Sequence, residues 1–519
     1  MSAPSLTVNG ESLEVEGIDP HTTLLDFLRD RGLVGTKEGC AEGECGACAV
    51  VVLRLEHEGP RYVAVNACLT LVGSVLGAEL RTVEGLSPQP GSRSAGRAAG
   101  PSVAELHPVQ RAMVELGGSQ CGYCTPGFVV SMFAEYYRRE ASLTPSGEPG
   151  LRWDPESVAG NLCRCTGYRP IREAMRSLPL AAEDDGFRAR LSQPLAPLGE
   201  ASLVREDVPG GGGTRRLHRP ASLAGALALL AEEPAAKLIA GGTDLVVEVN
   251  QRDRRWPTLI ALEAVDELRT LELGGEEIRI GAGLNLSELE HRLGGALPLL
   301  DELFPLFSSR LIRNRATLGG NLVNASPIGD SPPALLALDA RVVLASQRGE
   351  RELPLVEFFT GYRQTALAPG ELLRAVIVPR RAPTHAHFYK VSKRVLDDIS
   401  TVAAAFAVDL DPASNTVTRA RLAYGGVAAT PVRAQAVEQA LVGRPWTAET
   451  VAELAPQLRE SFTPLSDHRG SAAYRQAMLA RTFEKFFHET QAGRRLGPQP
   501  PPSVVLPVLP PRPQKGANA

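Results

Sequence analysis

The sequence predicts a multidomain α+β protein, and three observations carry that expectation. The chain has 519 residues, whereas a single hydrophobic core stops growing at about 250–300 residues, so about three to five domains are expected. Period-two strand patterns and 3.6-period helix patterns both recur along the chain. Two stretches break it: SPQPGSRSAGRAAGPS (87–102) cannot build a core, and roughly 180–215 carries Pro209 and the glycine run 210–213. Both read as linkers.

The first segment, 1–86, opens with SLTV and SLEV joined by Asn9-Gly10. Two alternating strands around an Asn-Gly pair predict a hairpin with a type I′ turn. TTLLDFLRDRG (22–32) predicts an amphipathic helix with Gly32 as its stop. CAEGECGAC (40–48) follows as a loop, and AVVVLR (49–54) as a buried strand. Residues 103–180 predict a small helical domain. HPVQRAMVEL (107–116), with Pro108 in its first turn, GFVVSMFAEYYRRE (127–140), PESVAGNL and PIREAMRSL supply its helices. GGSQCGYCTP and CRCTGYR lie in its connections, and 141–153 reads as a polar loop. After a linker over 181–215, residues 216–384 alternate strand and helix, as in KLIAGGTDLVVEV and IRIGAGLNLSELE. Residues 385–490 read as strands with helices near 434–442 and 470–488. The tail, 491–519, is Pro-rich and reads as an extended or disordered arm.

The net charge of −4 gives no general basic field for nucleic acid or an anionic membrane. MSAPSLTVNGESLEVEG lacks the basic head and apolar run of a secretory signal, and no apolar stretch reaches the roughly 20 residues of a membrane helix. A cytoplasmic location is expected. In a reducing compartment, clustered cysteines point to metal or redox chemistry rather than to disulfides. All eight cysteines fall before residue 166, a segregation that scattered core packing does not produce.

Cys40, Cys45 and Cys48 are spaced C-x4-C-x2-C, with Cys68 further on. That is the plant-type [2Fe–2S] spacing. Two bridged irons need four thiolates converging on a small volume. Gly39, Gly43 and Gly46 let the backbone approach closely and aim N–H groups at sulfur. Structural zinc is the competing reading, although this run is not a usual zinc knuckle. Cys121-x2-Cys124 and Cys163-x-Cys165 form a second set. Each pair sits at the N-terminal end of an expected helix, where the positive dipole end favours thiolate. On spacing alone, a second cluster, a zinc site and a redox dithiol all stay open.

KLIAGGTDL (237–245) and ATLGGNLVNASPIGDSPP (316–333) each carry a Gly-Gly turn of the kind whose N–H groups hold a pyrophosphate. Alone, each reads more readily as an ordinary turn. No GxGxxG follows the first strand, so the Rossmann fingerprint is absent. The glycine run 210–213 reads as spacer, since no strand precedes it.

EGCAEGECGAC with Cys68, then GSQCGYCTPGF and NLCRCTGYRPI, resemble the iron–sulfur portion of the xanthine dehydrogenase family of molybdenum hydroxylases. The resemblance runs from residue 5 to about 490. It implies a β-grasp ferredoxin-like domain around the first cysteine set, a four-helix [2Fe–2S] domain around the second, a vanillyl-alcohol-oxidase-type FAD domain and a C-terminal α+β flavoprotein domain. By this resemblance both sets hold [2Fe–2S] clusters, and Gln120 lies near the molybdopterin of a partner. Leu238, Ile239, Ala240, Gly241, Gly242, Thr243, Asp244 and Leu245 match one FAD loop of the family, and Thr317, Leu318, Gly319, Gly320 and Asn321 the other. Phe307, Asp330, Leu373 and Lys390 match further FAD contacts. FFTGYRQT (358–365) and SKRVLDDIS (392–400) resemble the loops beside the flavin where NAD docks, with Arg394, Asp397 and Asp398 matching there. Val395 and Leu396 stand where some relatives carry further charge. Without the family, Phe307 reads as a core aromatic, Lys390 as a solvated charge, and Arg394 with its two aspartates as a surface ion-pair cluster.

The resemblance implies the small, electron-transfer subunit of an NAD-dependent enzyme oxidising xanthine or hypoxanthine. Two cluster domains and a flavoprotein account for the chain. A large molybdopterin-binding subunit is therefore expected as partner, in a heterotetramer of two small and two large chains. No catalytic residue for hydroxylation is expected here. Electrons are expected to pass from molybdenum to the Cys121/Cys124/Cys163/Cys165 cluster, then to the Cys40/Cys45/Cys48/Cys68 cluster, then to FAD and NAD. FAD accepts electrons singly and donates them in pairs, so it stands between the clusters and NAD. Rival readings are the same subunit of another molybdenum hydroxylase, acting on an aldehyde or an N-heterocycle, and a stand-alone iron–sulfur flavoprotein oxidising NADH. Carbon monoxide dehydrogenases usually place clusters and flavin on separate chains, so the fusion counts against them. Neither nucleic acid nor a membrane is expected as a partner.

Overall fold

A computed structural model describes residues 4–87, 103–138, 141–143, 149–206, 213–496 and 504–507. The linker 88–102, glycines 210–212 and most of the Pro-rich tail lie outside the described residues. The chain divides into two compact units. The second begins at Leu198 and also takes in Gly17–His21.

In the first unit, five strands lie side by side in the order Glu11–Glu14, Ser5–Val8, Glu79–Arg81, Ala49–Glu56, Gly59–Asn66. Ser5–Val8 runs parallel to Glu79–Arg81, and the other neighbours are antiparallel. Asn9 (φ 55°) and Gly10 (φ 92°) both take positive φ, as the expected type I′ turn requires. The helix Leu24–Asp30 is capped by Thr23, whose hydroxyl accepts from the Asp26 N–H, and it buries Leu24, Leu25, Phe27 and Leu28. The strand Gly59–Asn66 goes unread in the sequence, because its Gly-Pro-Arg opening hides the alternation that follows.

The helical part of this unit comprises Pro108–Glu115, Thr125–Arg138, Arg169–Arg176 and Gly186–Leu191. Thr125–Arg138 is apolar nearly all round and packs against the strands Ala49–Glu56 and Gly59–Asn66. Tyr62 from that sheet meets Phe133 edge-on, with ring centroids 5.1 Å apart. His107 caps Pro108–Glu115: its Nδ1 accepts from the Val109 N–H, so Nε2 carries the proton and donates to the Tyr137 hydroxyl. Tyr137 in turn donates to Asp185.

Several stretches read as loop or linker carry regular structure. Ala141–Leu143 pairs with Pro149–Trp153, which also pairs with Val504–Pro507 from the tail. Within 181–215, Gly186–Leu191 is helical and Ala201–Arg205 pairs with Arg215–Arg219. These pieces are too short for a period to emerge from their Gly, Pro and charged neighbours.

Among the described residues the second unit holds four sheets, the smallest pairing Phe359–Gly361 with Gln364–Thr365. Lys237–Ile239, Thr258–Ala261 and Arg215–Arg219 are parallel neighbours, flanked by antiparallel Ala201–Arg205. Leu271–Glu272, Glu277–Gly281, Leu372–Pro379, Arg341–Ser346 and Gly349–Pro354 form an antiparallel sheet. His385–Val391, Val402–Leu410, Val417–Gly425 and Val432–Arg433 form another. Three helices cover it: Gln435–Leu441, Ala448–Glu460 and Ala472–Ala492. The middle one escapes the sequence reading because Pro456 sits inside it. Phe406, Tyr424, Trp446, Phe483 and Phe486 fill the core between sheet and helices, where truncating one phenylalanine to alanine costs about 3–5 kcal/mol. Gly17–His21 joins this unit through Asp19, which pairs with Arg215 at 2.6 Å, and through His21 Nε2, which accepts from the Trp256 N–H. No helix among the described residues is long and apolar enough to cross a membrane.

Candidate cofactor-binding sites

The first cysteine set is assembled by strand register. Ala49 pairs with Asn66, so the residues just outside that pair, Cys48 and Cys68, are carried together, and their sulfurs lie 3.3 Å apart. The loop before Cys48 brings the Cys45 N–H to 3.4 Å from Cys40 Sγ. A Cβ on Gly39 would stand 2.7 Å from Cys45 Sγ, so only glycine leaves room for the sulfur. Buried Asn66 donates from Nδ2 to the Gly43 carbonyl at 3.3 Å and lies 3.9 Å from Cys48 Sγ. Hydrogen bonding with Cys45 holds the Cys40 thiol down at about 5, with the backbone N–H groups of Glu42, Cys45 and Glu44 adding to it against the effect of burial. Hydrogen bonding with Cys68 likewise lowers Cys48.

The second set is built by helix starts. Cys124 directly precedes Thr125–Arg138, and Cys163 and Cys165 lie in the turn before Arg169–Arg176. Cys121 and Cys165 sulfurs are 3.5 Å apart, and those of Cys163 and Cys165 are 4.0 Å apart. The hydroxyl of Tyr168, a residue at φ 66°, accepts from the Cys163 N–H. Burial raises the Cys163 thiol, but the Thr166 hydroxyl and N–H outweigh it and bring it to about 7. The Tyr123 N–H, then Cys165, lower Cys121. Both sets therefore bring sulfurs together in close pairs, in each of which one thiol is lowered (Cys40, Cys48, Cys121, Cys163) and its partner raised (Cys45, Cys68, Cys165, Cys124). Four cysteines so grouped suit two irons each taking two thiolates.

The two sets touch. The Leu162 N–H donates to the Cys45 carbonyl at 3.0 Å, and Asn161 Nδ2 donates to the Gly46 carbonyl at 3.1 Å. Gly46 has φ 64°, and a Cβ there would lie 2.3 Å from the Gly160 carbonyl oxygen. A Cβ on Gly127 would lie 2.1 Å from the Gly46 carbonyl oxygen. Cys48 and Cys68 are buried, whereas Cys121 and Cys165 are exposed.

In the second unit, the two glycine segments read as FAD loops come together. Arg315 donates from Nε to the Gly241 carbonyl at 3.1 Å, and Asp244 pairs with Asn324. A Cβ on Gly241 would strike the Arg315 carbonyl oxygen at 1.9 Å, and one on Gly319 would strike Ala282 at 2.6 Å. The fold thus requires glycine at both positions. Thr317 caps the turn Leu318–Val323, accepting from the Gly320 N–H, and Asn321 accepts from Ser331. Next to Ser331, Asp330 accepts from Lys390 Nζ at 2.8 Å and from the Ser400 hydroxyl at 2.5 Å. Lys390 Nζ also donates to the Leu306 carbonyl, beside Phe307. Lys390 is therefore not a solvated charge: its side chain is 2% exposed. Phe307 is buried. Leu373 is buried in the strand Leu372–Pro379, and the next residue's carbonyl accepts from the Ala282 N–H behind Gly319.

The segments read as lying beside NAD differ from one another. In 392–400, Asp397 has φ 51° and turns inward, its N–H donating to the Ser308 carbonyl at 3.0 Å. Asp398 accepts from the N–H groups of Arg394 and Ile399, which hold it below the ordinary carboxylate value against the effect of burial. The Arg394 side chain stays half exposed. In 358–365, Tyr362 is exposed and Arg363 faces Glu248, on the helix that follows Asp244, at 3.8 Å. The sequence reading missed Asn66, Asn161, Thr166, Tyr168 and Ser400. Each lies within a few residues of a chosen residue, but its partner is set by the fold.

Four family descriptions match the chain in sequence: a 2Fe-2S iron-sulfur cluster binding domain over 6–73, a [2Fe-2S] binding domain over 82–176, an FAD binding domain in molybdopterin dehydrogenase over 213–381, and a CO dehydrogenase flavoprotein C-terminal domain over 387–490. This chain is the iron–sulfur and FAD part of a molybdenum hydroxylase. Among proteins similar to it is the xanthine dehydrogenase of Drosophila pseudoobscura pseudoobscura, 33% identical over 92% of this chain and 38% of its own length. The xanthine dehydrogenase/oxidase of Mus musculus is 31% identical over the same shares. The chain thus spans about 38% of the length of these relatives. Among solved structures, a carbon monoxide dehydrogenase chain from Hydrogenophaga pseudoflava is 31% identical, with a TM-score of 0.50 over 53% of this chain and 96% of that one. Quinoline 2-oxidoreductase from Pseudomonas putida 86 is 27% identical, with a TM-score of 0.50 over 54% and 97%. The molybdenum hydroxylase part seen here therefore carries [2Fe–2S]-binding and FAD-binding domains on one chain.

Proposed function

We propose that this chain is the electron-transfer subunit of an NAD-reducing xanthine dehydrogenase whose molybdopterin is held by a large partner subunit. The observation that carries the reading is the union, on one chain, of two hydrogen-bonded thiol sets and a flavoprotein, with similarity to xanthine dehydrogenases along 92% of its length. When bound, the clusters carry electrons singly, and FAD gathers them for two-electron transfer to NAD. The protein's own work is to bind and to space. Four thiols in each set hold a cluster, and the contacts of Leu162 and Asn161 with Cys45 and Gly46 fix the distance between sets. Burial of Cys48 and Cys68 keeps water from the first set.

The exposed side of the second set supports a partner there. Cys121 and Cys165 reach the surface with Tyr123, Leu162 and Tyr168, apolar groups that a monomer gains nothing by exposing. Gln120, beside Cys121, is exposed as well. Asp330, Lys390 and Ser400, with the loops 238–245 and 317–321, would hold FAD, and Arg394 would meet NAD from an exposed position.

The test is co-purification with a molybdopterin-bearing subunit, followed by xanthine-dependent reduction of NAD. A complex that oxidises xanthine and forms NADH supports the reading. One that turns over only aldehydes or N-heterocycles replaces it with the second reading, the same subunit serving another molybdenum hydroxylase, which the likeness to quinoline 2-oxidoreductase favours.

A further inference from the structure

Arg475, on the helix Ala472–Ala492, is 3% exposed and touches none of the residues matched to FAD or NAD. Its guanidinium nevertheless ties together the segments that carry them. Nη1 donates to the Thr401 carbonyl at 2.5 Å and to the Gly426 carbonyl at 2.8 Å. Nη2 donates to both carboxylate oxygens of Asp467, at 2.7 and 2.8 Å.

Each of these contacts leads to the site. The Thr401 N–H donates to the Val391 carbonyl, closing the base of 392–400, and the preceding Ser400 bonds to Asp330. The Gly426 N–H donates to the Pro327 carbonyl at 2.7 Å, three residues before Asp330. Gly426 has φ 82°, and a Cβ on it would stand 2.4 Å from the Thr401 carbonyl oxygen. Asp467 orders a turn that latches the same loop: Lys393 donates to the His468 carbonyl, the Thr401 hydroxyl donates to the Arg469 carbonyl, and Arg469 faces Asp398. A planar fork with fixed donors satisfies two carbonyls and a carboxylate together, and a lysine cannot.

We infer that Arg475 is a positioning residue that sets the loop 392–400 and Asp330 against the flavin-binding segments. The inference rests on the reading of those segments as the FAD and NAD sites. It acts through the backbone of Thr401 and Gly426, not by contact with either cofactor.

The experiment uses the full chain with its flavin and compares wild type with Arg475→Lys and Asp467→Asn. Amide exchange across 392–401 is expected to be about tenfold faster in Arg475→Lys and to rise less in Asp467→Asn, since one keeps the carbonyl contacts that the other loses. The visible circular dichroism of the flavin is expected to change. In anaerobic stopped flow, the NADH concentration giving half-maximal flavin reduction is expected to rise at least about fivefold, with the limiting rate moving much less. Should Arg475→Lys fail to fold, Asp467→Asn carries the same test with the same signs. Unchanged exchange in 392–401 together with an unchanged flavin signal overturns the inference. If the loop loosens but wild-type flavin is not reduced by NADH, positioning stands and the NAD reading fails.

Discussion

The backbone N–H of Leu162 donates to the carbonyl oxygen of Cys45 at 3.0 Å. Cys163 follows Leu162, so a cysteine-bearing segment of each set is bonded directly to the other. Asn161 and Gly127 secure the contact, one by a hydrogen bond to the Gly46 carbonyl and the other by leaving room for it. Asn161→Leu leaves that buried carbonyl unsatisfied, at a cost of about 1–3 kcal/mol. Gly127→Ala forces the Gly46 carbonyl away. Both variants are expected to load both clusters yet show weaker spin–spin interaction between them in electron paramagnetic resonance. An unaltered interaction would show that this contact does not set the spacing.

Cys124 belongs to the second set and makes no contribution to the first. Cys124→Ser should therefore lose one of the two iron–sulfur signals and about half of the iron. NADH formation driven by substrate should stop, while reduction of the flavin by added NADH continues. Iron analysis and the two kinetic assays check this, and normal substrate-driven turnover would defeat the relay.

Burial pulls the His107 imidazole down to about 4, with nearby Arg111 acting in the same direction and Asp185 against it. Its folded value lies below the unfolded one, so the unfolded chain takes up the proton first. Stability is full above about pH 6.5 and falls as pH drops from there towards about 4. The full swing is on the order of 3 kcal/mol. Denaturant unfolding across that range should show the slope in wild type. His107→Asn, which keeps a capping side chain, should flatten it.

The cysteine sets were legible because ligand spacing within a loop is a local property, and so were the Asn9-Gly10 turn and the helix after Cys124. What makes the sets neighbours was not legible. Asn161 and Gly46 are 115 residues apart, and nothing in CAEGECGAC says that the second glycine must yield to a carbonyl from another segment. Lys390 failed for a related reason. A charged residue in a strand or on a helix reads as solvated until the fold supplies acceptors that let it be buried. Gly241 and Gly319 were read only as members of tight turns; that each lies hard against another segment, at Arg315 and Ala282, appears only in three dimensions.

Lys390 and Asp330 offer the sharpest test of the flavin site. The pair is buried, with the lysine also bonded to the Leu306 carbonyl and the aspartate to Ser400. Removing one charge strands the other in a medium that cannot solvate it. Lys390→Met is therefore expected to cost about 3–5 kcal/mol. The double variant Lys390→Met with Asp330→Asn removes both charges and should recover most of that loss. Stability and cofactor binding should then separate: thermal unfolding recovers in the double variant, but flavin content stays low in both, because each residue would also face FAD. Flavin released on denaturation, measured per chain, gives the answer. Full flavin content in the stable double variant would mean that the pair only holds the strand His385–Val391 against the segment before Ser331.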